Sequence, residues 1–344
     1  MNDNFSNLRG LAAAVALLIL ICGIPSRAWC GGQDLWLGTS TAGGIEAFTP
    51  AQLKKSGRPK PLHLRGADGF AFDNTGNLWA ITGGGVGRFT PSQLKNLKND
   101  PSPTAGVIIT SSSLQEPIGC VFDPQGNLWV LDFIGFDGSI QELSKTQLAA
   151  GSGSVTPATV LTSSALAFEG GVHVSFDEAG NAWVSNPGLG LTSCPECVGL
   201  IFELTASQLN SGGNQTASVM LYDDGSGTSI ASPGELAFDQ NGNLWVPNYK
   251  SDTVVEFAKA QLTTTGNPVP IAKLSSQAFD GPLGLAFDTK GNLAVYSGVN
   301  GPVRGDGAIA KFTAQQLTSS GSPVPKVIVR GLVCCDSQII FGPE

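Results

Sequence analysis

The sequence predicts an all-β fold, a six-bladed β-propeller of four-stranded blades whose ring is closed by a blade shared between the N- and C-termini. Three observations predict it. A strand–turn–strand motif recurs five times, a short capped turn recurs six times, and a lone half of the first motif stands near each end of the chain.

Residues 1–28 read as an export signal. Arg9 supplies the positive charge, Leu11 to Ile21 form an apolar run too short to span a bilayer, and Ser26-Arg27-Ala28 carries small residues at the −3 and −1 positions of a cleavage site. Residues 29–344 then form a single propeller domain with 26 acids and 17 bases, a net charge of −9. Cys22 and Cys30 lack the small preceding residue of a lipoprotein signal, so no lipid anchor is expected. No later stretch is long and apolar enough for a membrane helix, which places the protein in the periplasm or outside the cell with no membrane insertion after cleavage.

The first motif is an apolar pair, Asp, two variable residues, Gly-Asn and usually Leu-Trp, as in Phe72-Asp73-Asn74-Thr75-Gly76-Asn77-Leu78-Trp79. It returns at Phe122, Phe176, Phe238 and Phe287, with the Asn spaced by 50, 54, 62 and 49 residues. In such a tight turn Asp bonds backbone N–H groups and Gly supplies the positive φ. The second motif begins at Phe48, Phe89, Leu143, Leu204, Phe257 and Phe312. Ser or Thr followed three residues later by Gln is a capping box, reinforced in the first two copies by Pro at the first helical position. The fifth blade has Ala258 at the cap, so its turn is expected to be the least stable. A Gly/Ser/Pro loop and a short outer strand complete each blade, Pro being tolerated at a sheet edge. At the ends, Ser337 to Phe341 is a lone first strand and Gln33 to Trp36 a lone turn and second strand. Together they make the sixth blade, counted here as blade 1.

Composition agrees and excludes. Only 13% of residues are charged, about half the globular norm of ~25%, while Gly numbers 45 of 344, about double its usual ~7%. Net charge is −8 with a pI near 4.8, so nucleic acid is not an expected partner. Two His in the whole chain argue against a multi-histidine metal site.

The pattern Gly-Leu-Ala-Phe-Asp-x-x-Gly-Asn-Leu-Trp-Val resembles the NHL-repeat proteins and the senescence-marker-protein/gluconolactonase superfamily of six-bladed propellers, over the whole chain after the signal. The resemblance implies a divalent cation (Ca, Mg, Mn or Zn) held at the pore mouth by Glu, Asn and Asp. The metal would polarise a lactone carbonyl or activate water. Asp68-Gly69-Phe70-Ala71-Phe72-Asp73 looks like that family's Asp-Gly ligand segment. Asp68 is the position that carries over, with Glu235 from a neighbouring row as second metal candidate. The family's own Glu and Asn positions are apolar, Gly or Ser here.

Residues shared by every blade serve the blade, so the turn Asp row and the Trp row read as scaffold and interblade packing. Residues that break the repeat are the site candidates. They cluster at the face opposite the turns, whose connections vary in length. Asp68, His173, Glu235 and Gln338 lie at the starts of first strands. Asp132, Asn186 and Asn248 lie three residues past the Trp row, and Asp280 stands just before Pro282. His63, on an outer strand, reads as surface.

Six Cys remain after the signal, in an oxidising compartment, and predict disulfides. Cys194 and Cys197 form a local loop staple, and Cys30 pairs with Cys334 or Cys335 to fasten the two ends. Cys120, in an apolar row, is a free buried thiol. The expected function is a non-catalytic binding module for a small molecule, glycan or protein at the pore-mouth face. The alternatives are a metal-dependent lactonase or hydrolase, and a structural module of an envelope assembly.

Overall fold

The computed structural model describes residues 33–39, 44–134, 137–162, 173–187, 199–223, 229–298, 307–332 and 338–343. The signal segment and Cys30, Cys194, Cys197, Cys334 and Cys335 lie outside these residues. Among the described residues no helix is long and apolar enough to cross a membrane.

Six antiparallel sheets of four main strands are present. From inner to outer edge, blade 1 runs Ile339–Phe341, Leu35–Thr39, Gly44–Phe48 and Leu62–Arg65. Blade 2 runs Ala67–Phe72, Leu78–Thr82, Gly85–Phe89 and Val107–Thr110, and blade 3 Pro117–Phe122, Leu128–Ile134, Asp137–Leu143 and Thr159–Thr162. Blade 4 runs His173–Phe176, Ala182–Asn186, Leu200–Leu204 and Val219–Tyr222, and blade 5 Ala237–Phe238, Leu244–Asn248, Thr253–Phe257 and Ala272–Ser275. Blade 6 runs Pro282–Phe287, Leu293–Ser297, Gly307–Phe312 and Val327–Leu332. In blade 1 the partners come from both ends of the chain, Leu35 opposite Phe341 and Leu37 opposite Ile339.

The recurring turn is a hydrogen-bonded unit. In blade 3 Asp123 accepts the Asn127 N–H on Oδ1 (2.8 Å), and on Oδ2 the Asn127 amide (2.8 Å) and the Trp129 indole N–H (3.0 Å). Gly126, at φ +87°, closes the turn by donating to the Asp123 carbonyl. The same indole bond joins Trp79 to Asp73, Trp183 to Asp177 and Trp245 to Asp239. The Trp row is therefore more than packing, which the sequence reading missed. Its packing role holds as well. Trp36, Trp129, Trp183 and Trp245 each meet a Phe of the next blade's first strand, with ring centroids 5.5–6.3 Å apart.

Turn and capped turn are tied together. The turn Asn accepts the first helical N–H of the same blade, from Lys145, Ala206, Lys259 and Ala314. In blade 2 that position is Pro91, which has no N–H to give. The capping Gln works in two directions. Its Oε1 accepts the cap residue's N–H at 2.8–2.9 Å in all six blades. Its Nε2 donates to a carbonyl of the outer loop, at Lys60, Thr104, Thr156, Thr216, Val269 and Val324. The turn is α-helical in blades 2, 3 and 4 and 3-10 in blades 1, 5 and 6. Ala258 keeps the Gln261 half of the box but has no hydroxyl to accept the Gln261 N–H. Blades 1 and 6 are 3-10 with Thr at the cap, so the cap hydroxyl does not decide the helix type.

Each outer loop also lies on the edge of the preceding blade, which the sequence reading did not anticipate. Gly153–Ser154 pairs in parallel with blade 2, and Gly213–Asn214 with blade 3. Gly266 bridges to Leu221 of blade 4, Gly321 to Leu274 of blade 5, and Gly57 to Val329 of blade 6. The Arg65 N–H, on blade 1, donates to Pro101 of blade 2. These contacts cover edges that would otherwise offer unpaired backbone groups.

The core consists of six apolar clusters, each built from two adjacent blades. Trp129, Ile140, Val174 and Phe202 join blades 3 and 4, for example. Leu35 and Leu37 join blade 1 to Tyr296 and Ile309 of blade 6, and Trp36 and Ile45 join it to Phe70 and Leu78 of blade 2. The blade drawn from both chain ends thus packs on both neighbours. Cys120 is buried and free, as its apolar row predicts.

Candidate functional site

The second strands end at the face opposite the turns, three residues past the Trp row, with Thr39, Thr82, Asp132, Asn186, Asn248 and Ser297. All but Thr82 are buried. Four of them hold the backbone of that face. Thr39 and Thr82 donate to Gly44 and Gly85 across their hairpins. Asp132 accepts the N–H groups of Gln115 (2.9 Å) and Glu116 (2.8 Å), clamping the connection into blade 3. Asn248 accepts from Ala231 N–H (2.9 Å) and donates to the Ser229 carbonyl (2.9 Å), clamping the connection into blade 5. Behind Asp132 the buried Gln141 donates to its Oδ2 and to the Ser113 carbonyl. Gln141 was missed, although it sits in a row that holds Gly87, Phe202, Val255 and Ala310 in other blades.

One residue into the first strands the ring presents Gly69, Gly119, His173, Glu235, Gly284 and Gln338. Three large polar side chains share this level with three glycines. Gly69 has φ +35°, and a Cβ there would stand 2.3 Å from the Ile118 carbonyl oxygen. Glu235, on blade 5, reaches past blade 6 to accept the Ile339 N–H of blade 1 (2.8 Å). Gln338 reaches from blade 1 to the backbone of Phe70 in blade 2 and Cys120 in blade 3. Enclosure pushes the Glu235 carboxyl well above the usual carboxylate range, with the Ile339 bond pulling it back in part. His173, opposite Ser185 in blade 4, keeps some exposed surface, yet burial of its ring lowers it to about 4, so it is neutral at pH 7.

Asp68 accepts the N–H of its own neighbour Gly69 (2.9 Å), and Asp280 is exposed just ahead of blade 6. The two metal candidates, Asp68 and Glu235, are thus each engaged by backbone. Among the described residues no three His, Cys, Asp or Glu side chains come together as a metal-ligating set. Asn186 is buried at the end of its strand.

A second ionisable group escaped the sequence reading. Glu46, in blade 1 on the row of Gln141, is 4% exposed, and its Oε2 has no hydrogen-bond partner. His63 on the outer strand lies 3.9 Å from Oε1, so it is not a plain surface residue. Burial raises Glu46 to about 7. Burial, with Arg65 and Lys60, lowers His63. Both move toward their neutral forms, which marks a packed contact and not an ion pair.

No protein-family model matches the chain, and neither does any curated protein with which it was compared. Among solved structures it is similar to a Bacteroides caccae protein of unknown function, at 15% identity and a TM-score of 0.52, covering 91% of this chain and 100% of that one. It is also similar to virginiamycin B lyase from Staphylococcus aureus (11% identity, 91% and 92% covered, TM-score 0.47). The third is a calcium-binding regucalcin from Agrobacterium tumefaciens (12% identity, 79% and 83% covered, TM-score 0.49). The first likeness shows a shared fold, the six-bladed propeller implied by the repeat pattern.

Proposed function

We propose that this protein is an exported binding propeller that recognises a small molecule, glycan or protein with the connections at its pore-mouth face. The observation that carries the reading is the row of clamps. Asp132, Asn186 and Asn248 are the longer polar groups of that row, and Asp132 Oδ1 and Asn248 Oδ1 are spent on fixing backbone of the connections. Buried side chains that hold the base of loops make a rigid frame for a recognition surface. Glu235 and Gln338 are likewise bonded to backbone at the axis, so they rigidify the frame instead of facing a substrate.

The test sets this reading against a cation-dependent hydrolase. Thermal unfolding is followed in EDTA and with Ca²⁺, Mg²⁺, Mn²⁺ or Zn²⁺ added, for the protein and an Asp68→Ala variant. The binding-module reading expects the same melting temperature throughout. A site filled at a hundred times its dissociation constant would add about 2.7 kcal/mol. A metal-specific rise of that size that vanishes in Asp68→Ala overturns the binding reading in favour of the hydrolase.

A further inference from the structure

We propose that the axis of the ring holds a carboxamide-binding site, made by the backbone of blades 2 and 3 and filled in the resting molecule by the protein's own Gln338. The recognition is complete for a primary amide. The Phe70 N–H donates to Gln338 Oε1 at 2.7 Å, and Gln338 Nε2 donates to the Phe70 carbonyl at 2.6 Å and the Cys120 carbonyl at 3.4 Å. One donor and two acceptors match the one oxygen and two N–H groups of a carboxamide.

The backbone that forms the site is bare because of two glycines and two bulges. An inner strand leaves alternate N–H and C=O groups unpaired by its own sheet. The ladder of blade 2 slips between Asp68 and Phe70, with Gly69 at φ +35°, and that of blade 3 slips between Pro117 and Gly119. Gly69 and Gly119 put no side chain at this level. A Cβ on Gly119 would meet nothing within 4 Å, so there is open space beside the bonded amide.

Gln338 arrives as a tethered ligand. Its strand pairs over only Ile339–Phe341, and its position is set by two further bonds, Gly38 N–H to the Gln338 carbonyl (3.0 Å) and Ile339 N–H to Glu235 (2.8 Å). Tethering gives the amide a high effective concentration, so a free ligand competes only when Gln338 is withdrawn or shortened. The ligand class is a primary carboxamide, such as an Asn or Gln side chain. A carboxylate is excluded, because it would turn a second oxygen toward two carbonyl oxygens. The site is separate from the loop face, and its test stands whatever the loops bind.

The experiment is chemical rescue. Melting temperatures of the protein and a Gln338→Ala variant are measured against rising propionamide, with propionate and N,N-dimethylpropionamide as controls. The expected result is a variant that melts several degrees lower. Propionamide should recover at least half of the loss with saturation, the two controls should recover none, and the unsubstituted protein should not respond. A variant that melts like the parent overturns the proposal, as does a propionamide effect equal in both proteins or matched by the controls. If Gln338→Ala does not fold, Gln338→Ser shortens the side chain and removes the amide while keeping a small polar group, and is read by the same criteria.

Discussion

Glu46 is an acid in a row that is Gly87, Gln141, Phe202, Val255 and Ala310 in the other blades, and its consequences are set by pH. Folding raises its pKa from 4.5 to about 7 through burial, so the folded state holds a proton that the unfolded chain releases. That contribution to stability is fully present below pH 4.5 and is lost as pH rises through 7. At about 1.4 kcal/mol per unit, the loss by pH 8 is about 3 kcal/mol. Glu46→Gln removes it. Chemical denaturation at pH 4.5 and pH 8 should find the variant no more stable than the parent at the lower pH and more stable at the higher. The gain will be below the full amount, because the new amide inherits an unpartnered position. Equal differences at both pH values would show that Glu46 is not the titrating group. The acid stands openly in the sequence, but its burial does not, because Glu142 or Glu203, one position along and only half-buried, looks the same without knowledge of register.

At the scale of the element, the two motifs recur together because they are bonded together. Asn127, Asn181, Asn243 and Asn292 each take the first N–H of the capped turn beside them. The capping Gln is Gln and not Glu in all six copies, because its Nε2 must donate to the outer loop. Ala258 is the one cap without a hydroxyl. Ala258→Thr should restore the missing acceptor for Gln261 N–H and stabilise the protein by about 0.5–2 kcal/mol. A rise in the denaturation midpoint at unchanged slope confirms it, and no change would show that the 3-10 geometry of this turn places the hydroxyl out of reach. The turn, the cap and their period are legible in the sequence because each uses local bonds with fixed residue types. The outer-loop pairing is not, since Gly57, Gly266 and Gly321 sit in Ser- or Thr-Gly pairs that read as ordinary flexible loop.

For the whole molecule, the blade count was legible because the repeat has a phase, and phase assigns Ile339 and Leu35 to one blade although 304 positions separate them in the chain. The rows of the candidate residues were legible in the sequence, but what their side chains hold was not. Asp132, Asn248, Glu235 and Gln338 all lie at the mouth or axis as their rows require, yet each is bonded to backbone from another part of the chain. Sequence shows which residues break a repeat; it does not show whether they break it for a ligand or for a neighbouring blade. The central claim is that the strands Ile339–Phe341 and Leu35–Thr39 share one blade. Hydrogen exchange of the segment 338–343 tests it most directly, because the Gly342 and Ile339 amides donate to Asp34 and Glu235 respectively. The segment should exchange as slowly as the strand Leu244–Asn248 in the middle of blade 5. Exchange within seconds, while Leu244–Asn248 stays protected, would contradict it.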